Sequence, residues 1–190
     1  FDSIPAQLND KKRRFKINSL DQNARLSRYE DSFNWLSDAG VALPCYNVTE
    51  PQTPLQLNEK RNLFKLYMND VGLLCASRME NIQFQILMGN VDINMGSILE
   101  NVFAQNLKSN GFELHYFDSK KIGELDFVLQ NGLSTELVEI KSGNDFMKHT
   151  AIDNAMKVDN WNFKKCIVFS KSNLERKGDI LYLPLSLIHI

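Results

Sequence analysis

Apolar positions Leu26, Tyr29, Phe33 and Leu36 fall on one stripe at helical spacing, which predicts a helix over 23–39. Gly40 supplies the usual C-terminal stop. Beyond it the pattern shortens to that of strands. Residues 41–48 read as a strand, Pro51 and Pro54 mark a loop, and 63–68 read as a returning strand before a short helix from Asp70. Helices followed by a two-stranded ribbon suggest a winged-helix-like segment over residues 1–76, a fold that does not by itself choose a partner. Residues 77–94 carry few periodic signals apart from a Gly-Asn turn at 89–90. A second clear helix covers 95–108: Ile98, Leu99, Val102, Phe103 and Leu107 fill one half of its wheel, with Glu100 at the border. Asn110-Gly111 ends it. Strands follow at 112–117, 124–129, 133–141, 166–170 and 180–185, with a helix around 151–159. This mixture predicts an α/β domain over 77–190.

Composition narrows the class. The 43% hydrophobic and 24% charged content of the 190 residues is that of a globular protein, which excludes disorder, collagen and coiled coil. A net charge of −1 advertises neither nucleic acid nor acidic membrane, although a local patch fits within a balanced total. The dense basic run is Lys11-Lys12-Arg13-Arg14-Phe15-Lys16. A solvated loop or helix end is the first expectation for it, and a nucleic-acid contact the second. Cys45, Cys75 and Cys166 are scattered and odd in number, which points to reduced thiols in a cytoplasmic protein and away from a zinc site. They are expected to be small buried hydrophobes. No secretory signal and no apolar run near 18 residues is present, so neither export nor a membrane span is expected. No GxxxxGK[ST] loop occurs, so ATP hydrolysis is not expected of this stretch. The chain opens Phe-Asp-Ser without Met and reads as an excised piece of something longer.

Candidate chemistry lies between 124 and 141. Asn131-Gly132 between two strand-like runs is a strong hairpin signal. With those two residues as the loop, paired residues sum to 263, so Asp126 faces Leu137 and Glu124 faces Glu139. Glu124, Asp126, Glu139 and Lys141 then share one face, with Asp126 and Glu139 as diagonal neighbours. A shift of register by an even number keeps that parity. Three carboxylates and a lysine on one face have a plain explanation, a solvent-facing polar side opposite Leu125, Phe127, Leu129, Val138 and Ile140. The sharper explanation is a divalent cation: two carboxylates, a carbonyl and waters suit Mg2+ or Mn2+, with the lysine beside them to orient water and stabilise charge on a phosphate. Three histidines, none paired at ligand spacing, make a zinc hydrolase the weaker idea. Trp35 and Trp161 read as core or core-edge aromatics, and His115 as a polar-face histidine.

The helix carrying Glu100, the strand GELDFVL (123–129) and VEIKSG (138–143) together resemble the PD-(D/E)xK nuclease superfamily, whose core runs helix–strand–strand–strand–helix–strand. The resemblance implies a restriction-endonuclease-like mixed sheet flanked by helices. It assigns Asp126 as the first acidic ligand, Glu139 as the second, Lys141 as the catalytic lysine and Glu100 as the helical glutamate, with Leu125 in place of the proline of the name. Over nearly its full length the chain also resembles the C-terminal half of bacterial and archaeal predicted AAA-type ATPases. SIPAQL (3–8), SRYEDSFNWLSDAGV (27–41), PLQLNEKRNLFKLYMNDVGLL (54–74) and ENVFAQNL (100–107) carry that likeness. It implies an upstream ATPase domain as partner, with ATP bound only there.

Three readings follow. The first is a Mg2+- or Mn2+-dependent DNA phosphodiesterase, in which Asp126 and Glu139 hold the metal, Glu100 completes the shell or places a second ion, and Lys141 orients the attacking water. The second is an inactive nucleic-acid- or protein-binding module that positions the ATPase. The third is a regulator of the stress or toxin–antitoxin type. Lys120, Lys121, Lys148, Lys164, Lys165, Lys171, Arg176 and Lys177 are candidate phosphate contacts that sequence alone does not place on one side. Oligomeric state stays open.

Overall fold

The computed structural model describes residues 1–10, 12–23, 25–78, 88 and 95–189. Lys11 and the Gly-Asn turn at 89–90 lie outside them. In chain order the elements are α1 (Ile4–Leu8), α2 (Leu26–Asp38), β1 (Ala42–Val48), β2 (Glu59–Met68), α3 (Val71–Arg78) and α4 (Met95–Ser109). There follow β3 (His115–Ser119), β4 (Gly123–Asn131), β5 (Ser134–Ile140), α5 (Thr150–Ala155), β6 (Phe163–Ser170), β7 (Glu175–Lys177) and β8 (Ile180–Pro184). The strands form one mixed sheet in the order β2-β1-β3-β4-β5-β6-β8-β7. The protein is therefore α/β, with a mixed eight-stranded sheet flanked by helices. Two compact units divide it, Phe1–Cys45 with Asn62–Gln105, and Tyr46–Arg61 with Asn106–Ile190.

In the first unit α2 uses the expected stripe: Leu26, Tyr29, Phe33 and Leu36 are half-buried. Gly40, at φ +66°, ends the helix where an L side chain would be strained. Phe33 packs edge-on against Phe15 and Phe64, with ring centroids 5.2 Å away in both cases. Phe15 is the aromatic inside the basic run. Its amide donates to Phe64 O at 2.8 Å, which pins that irregular segment to β2. Trp35 corrects the expectation of a core aromatic, because it is 67% exposed. It lies two residues from Phe33, about 200° around the helix and so on the far side. The wheel of α4 is corrected as well. Leu99, Val102 and Leu107 are only half-buried, while Ser97, Ile98, Glu100, Asn101, Phe103 and Ala104 are buried. The helix turns polar residues inward because β2 offers them partners. The Asn101 side chain accepts from Met68 N and donates to Met68 O, both at 2.8 Å.

In the second unit β1 pairs parallel with β3, β3–β4–β5 form an antiparallel meander, β5, β6 and β8 run parallel, and β7 returns antiparallel at the edge. The core gathers Phe117, Leu125, Val128, Leu137, Cys166, Val168, Ile180 and Tyr182 from the sheet with Ile152 and Ala155 of α5, and Trp161 and Phe163 pack on it. Gly123, at φ +106°, lets the β3–β4 turn come against α5: a Cβ there would sit 3.1 Å from Ala151 Cβ. Strand β7 is absent from the sequence expectation, since Glu175, Arg176 and Lys177 are all exposed and carry no hydrophobic period. Cys45 and Cys166 are buried as expected, whereas Cys75 is half-buried.

Candidate active site

The β4–β5 hairpin closes one residue later than the Asn-Gly signal suggests. Asn131 pairs with Ser134 and Phe127 with Val138, so paired residues sum to 265, and the loop is Gly132-Leu133. Gly132, at φ +63°, fills the first loop position, where positive φ is needed. The shift is even, so the parity that groups Asp126 with Glu139 is preserved, but the two are not diagonal neighbours. They are the next positions in line beyond the last ladder pair, Phe127–Val138.

An irregularity in β4 falls at the same place. His115 pairs with Val128 and Phe117 with Leu125, so two steps along β3 match three along β4, and the extra residue lies at 126–127. There the Asp126 carboxylate accepts from Ile140 N at 2.9 Å. Glu139 is held from the other side. Its strand is in register with β6 through Glu139–Val168, and Lys141 N donates to Phe169 O at 2.8 Å, which extends the pairing past the end of β5. The Lys141 ammonium then reaches Glu139 Oε1 at 2.7 Å.

Burial decides against a solvated polar face. Asp126 is 8% exposed and Glu139 6%, at the level of the surrounding core, while Lys141 keeps 28% of its side chain accessible. Two carboxylates drawn out of water on adjacent strands need cations or strong donors, since burying an unpaired charge costs several kcal/mol. The oxygen-only donor set fits Mg2+ or Mn2+. Among the described residues no three His, Cys, Asp or Glu side chains converge on a metal position, so an ion here would take two protein carboxylates and complete its shell with water and substrate oxygens.

Glu100 belongs to the first unit and has its own partners there. It is 3% exposed, pairs with Arg13, accepts from Tyr67 OH at 3.0 Å and lies 3.4 Å from Lys65 Nζ, a lysine with no exposed surface.

Residues 95–188 match a domain of unknown function (DUF4143) known from AAA-ATPase-associated proteins. Residues 1–83 match a second domain of unknown function (DUF8612). No curated protein and no solved structure matches the chain. The candidate carboxylates and the lysine all fall inside the DUF4143 match, as do the strands that position them.

Topology also gathers lysines that the sequence left unplaced. The β3–β4 turn, the chain leaving β5 and the chain leaving β6 lie at one end of the sheet, since β4 is antiparallel to β3 and β5, and β6 is parallel to β5. Exposed Lys120, Lys121, Lys148 and Lys171 therefore sit at the end that carries Asp126 and Glu139. Lys164, near Thr135, falls at the opposite end. No helix among the described residues is long and apolar enough to cross a membrane.

Two histidines were not assigned to a site by sequence. His149, before α5, places Nδ1 2.9 Å from Asp153 Oδ1 and Nε2 2.6 Å from Tyr182 OH. Tyr182 stands in the row Glu139–Val168–Tyr182, so it shares Glu139's sheet face, and burial followed by the charges of Asp153 and Glu175 pushes its phenol upward. The i,i+4 spacing of His149 and Asp153 was the available signal. His115 corrects its expectation: it is 2% exposed rather than on a polar face.

Proposed function

We propose that the DUF4143 region is a restriction-endonuclease-like, metal-dependent phosphodiesterase of the PD-(D/E)xK type acting on DNA, and that it works with an ATPase domain of the same protein. The observation that carries this is the burial of Asp126 and Glu139 side by side at the end of a ladder, with Lys141 on the accessible side of Glu139. Desolvating two acids at neighbouring strand positions is costly, and that cost supports a ligand role for them.

Asp126 and Glu139 would hold a Mg2+ or Mn2+ ion, which supplies Lewis-acid polarisation of the scissile phosphate when bound. Lys141, whose ammonium lies 2.7 Å from Glu139 Oε1, would present it to the attacking water and to charge developing on the phosphate. Asp126 accepts from the peptide that joins Glu139 to Ile140, so one carboxylate fixes the backbone that carries the other. Lys120, Lys121, Lys148 and Lys171 provide cations for the flanking phosphates. Glu100 stays outside the proposed ligand set, because Arg13, Lys65 and Tyr67 already occupy its carboxylate.

One observation favours the second reading, a catalytically inactive module that binds nucleic acid or protein and positions the ATPase. The 2.7 Å pairing of Lys141 with Glu139 and the Asp126 bond to Ile140 N provide each acid with an internal partner without any metal. Calorimetric titration of Mn2+ and Mg2+ into the protein and into Asp126→Ala separates the two. Metal binding that disappears in the variant, followed by metal-dependent cleavage of DNA that Lys141→Met abolishes, supports the nuclease. Absence of binding at millimolar metal, with and without DNA, supports the scaffold.

A further inference from the structure

The hairpin end of the second unit, opposite the end that carries Asp126 and Glu139, holds a separate cavity of about 420 Å3, within the range of small-molecule sites. Three stretches wall it: Gln52 and Thr53 from the segment before β2, the start of β5 with the loop before it, and the chain entering β6 with Asn160, Asn162 and Lys164. The walls are tied to one another. Gln52 Nε2 donates to Asn160 O, and Thr53 Oγ1 donates to Leu133 O at 3.3 Å. A cavity whose walls are bonded to each other is formed before any ligand arrives.

Strand register delivers the charge. Thr135 pairs with Phe163 and Glu136 with Lys165, so one step along β5 matches two along β6, and the extra residue is Lys164. Bulges are rare between parallel strands, and a bulge re-aims a side chain. In unbroken register Lys164 would stand beside Glu136 as an opposite charge; the bulge gives that place to Lys165 and leaves Lys164 in the cavity wall. Lys164 is exposed, is the only charged residue of that wall, and makes no ion pair among the described residues. Asn160 and Asn162 are exposed too, and their side-chain amides make no hydrogen bond among the described residues. Amides both donate and accept, as hydroxyl groups do, so they set no charge preference and suit a hydroxylated ligand. The charge preference comes from Lys164. Among the described residues no aromatic ring lines the cavity, and its one large apolar side chain, Leu133, is 96% exposed, so a nucleobase has nothing to stack on. We infer that this cavity binds a small phosphorylated polyol, with its phosphate on Lys164 and its hydroxyls on Asn160 and Asn162. The site uses none of Asp126, Glu139 or Lys141, and stands whether or not that face binds metal.

Glucose 6-phosphate, glucose and inorganic phosphate separate the parts of that ligand. Each is titrated into the whole chain while 1H–15N NMR follows the side-chain amides of Asn160 and Asn162. Glucose 6-phosphate is expected to shift both amides and to bind about tenfold more tightly than glucose or inorganic phosphate. Lys164→Met should weaken glucose 6-phosphate about tenfold and leave glucose unchanged, whereas Lys165→Met, at an exposed neighbour outside the wall, should change neither. Asn162→Ala should weaken both sugars several-fold. All three positions are exposed, so folding is not at stake. AMP should bind no more tightly than ribose 5-phosphate, since the base finds no ring. Inorganic phosphate as tight as glucose 6-phosphate, a tighter AMP, an equal loss in Lys165→Met, silent Asn160 and Asn162 amides, or no binding of glucose 6-phosphate at 10 mM (about ten times a weak millimolar Kd) overturns the inference.

Discussion

Asp126 has two roles in this structure, and a pair of substitutions separates them. Its carboxylate accepts from the buried Ile140 amide at 2.9 Å, and it is half of the proposed metal site. Asp126→Ala removes both. The Ile140 N–H then loses its acceptor, at a cost of about 1–3 kcal/mol, partly offset because Glu139 no longer faces a second acid. Asp126→Asn keeps a carbonyl oxygen where the bond needs it and removes the charge, so without metal it should unfold within about 1 kcal/mol of the native protein. Metal should instead set the native protein apart from both variants. If the proposed site binds Mn2+, the ion at a hundred times its Kd should stabilise the native protein by about 2.7 kcal/mol and add almost nothing to either variant. Urea unfolding read at Trp161, which packs 5.1 Å from Phe117 in the second unit, reports on this unit directly. If Asp126→Asn loses as much stability as Asp126→Ala without metal, the bond to Ile140 is not what holds the strand end. If Asp126→Asn gains as much from Mn2+ as the native protein, the metal is not at Asp126.

Other consequences are tested in the same way. Glu100→Leu removes the carboxylate facing the fully buried Lys65 and should destabilise by about 3–5 kcal/mol, while Glu100→Leu with Lys65→Met should recover at least half; additive losses in urea would refute the coupling. Ile152→Ala, at a fully buried core position on α5, should cost about 2–5 kcal/mol by the same assay, and a loss under 1 kcal/mol would mean that α5 is not packed as described. Burial, followed by the charge of Asp179, pushes the Cys166 thiol up to about 11. The folded protein therefore holds that proton more tightly than the unfolded chain does. Stability from this group is whole below about pH 9 and is lost as pH rises toward 11. Cys166→Ala should flatten that alkaline decline, and alkylation of native Cys166 at the rate of a free thiol near pH 8.5 would contradict it.

How much of this was legible in the sequence depends on the kind of residue. Leu26, Tyr29, Phe33 and Leu36 are half-buried as their spacing predicts, and Gly40 and Gly111 adopt the positive φ that their helix-ending roles need. Those are local facts: a period or a backbone requirement is complete within a few residues. Trp35 was misread because aromatic character was allowed to outweigh its position on the wheel. Helix α4 was misread for the reverse reason. Its wheel was drawn from apolar residues, but Glu100 and Asn101 point inward because Lys65, Tyr67 and the Met68 backbone await them on β2. Nothing near residue 100 announces partners more than thirty residues away. His115 is buried by the same kind of distant partner, Glu59.

The site was legible for a different reason, and only in part. Strand parity survives any even slip, so Asp126 and Glu139 stayed together although the loop moved from Asn131-Gly132 to Gly132-Leu133. Burial was not legible. Alternating charges on a hairpin look the same whether they face water or a covered interior, and the choice is made by elements distant in sequence. Here α5 packs on the face that carries Val128, Leu137, Val168 and Tyr182, and the row Glu139–Val168–Tyr182 belongs to that face. A carboxylate on a covered face must be neutralised, and Lys141 is the cation that β5 itself delivers. If Glu139 holds a divalent ion, Lys141 beside it would be the cation left for water and phosphate. If it holds none, the same ion pair is a finished structural element. Whether Glu139 takes a metal beside Lys141 is therefore the physical question on which activity turns.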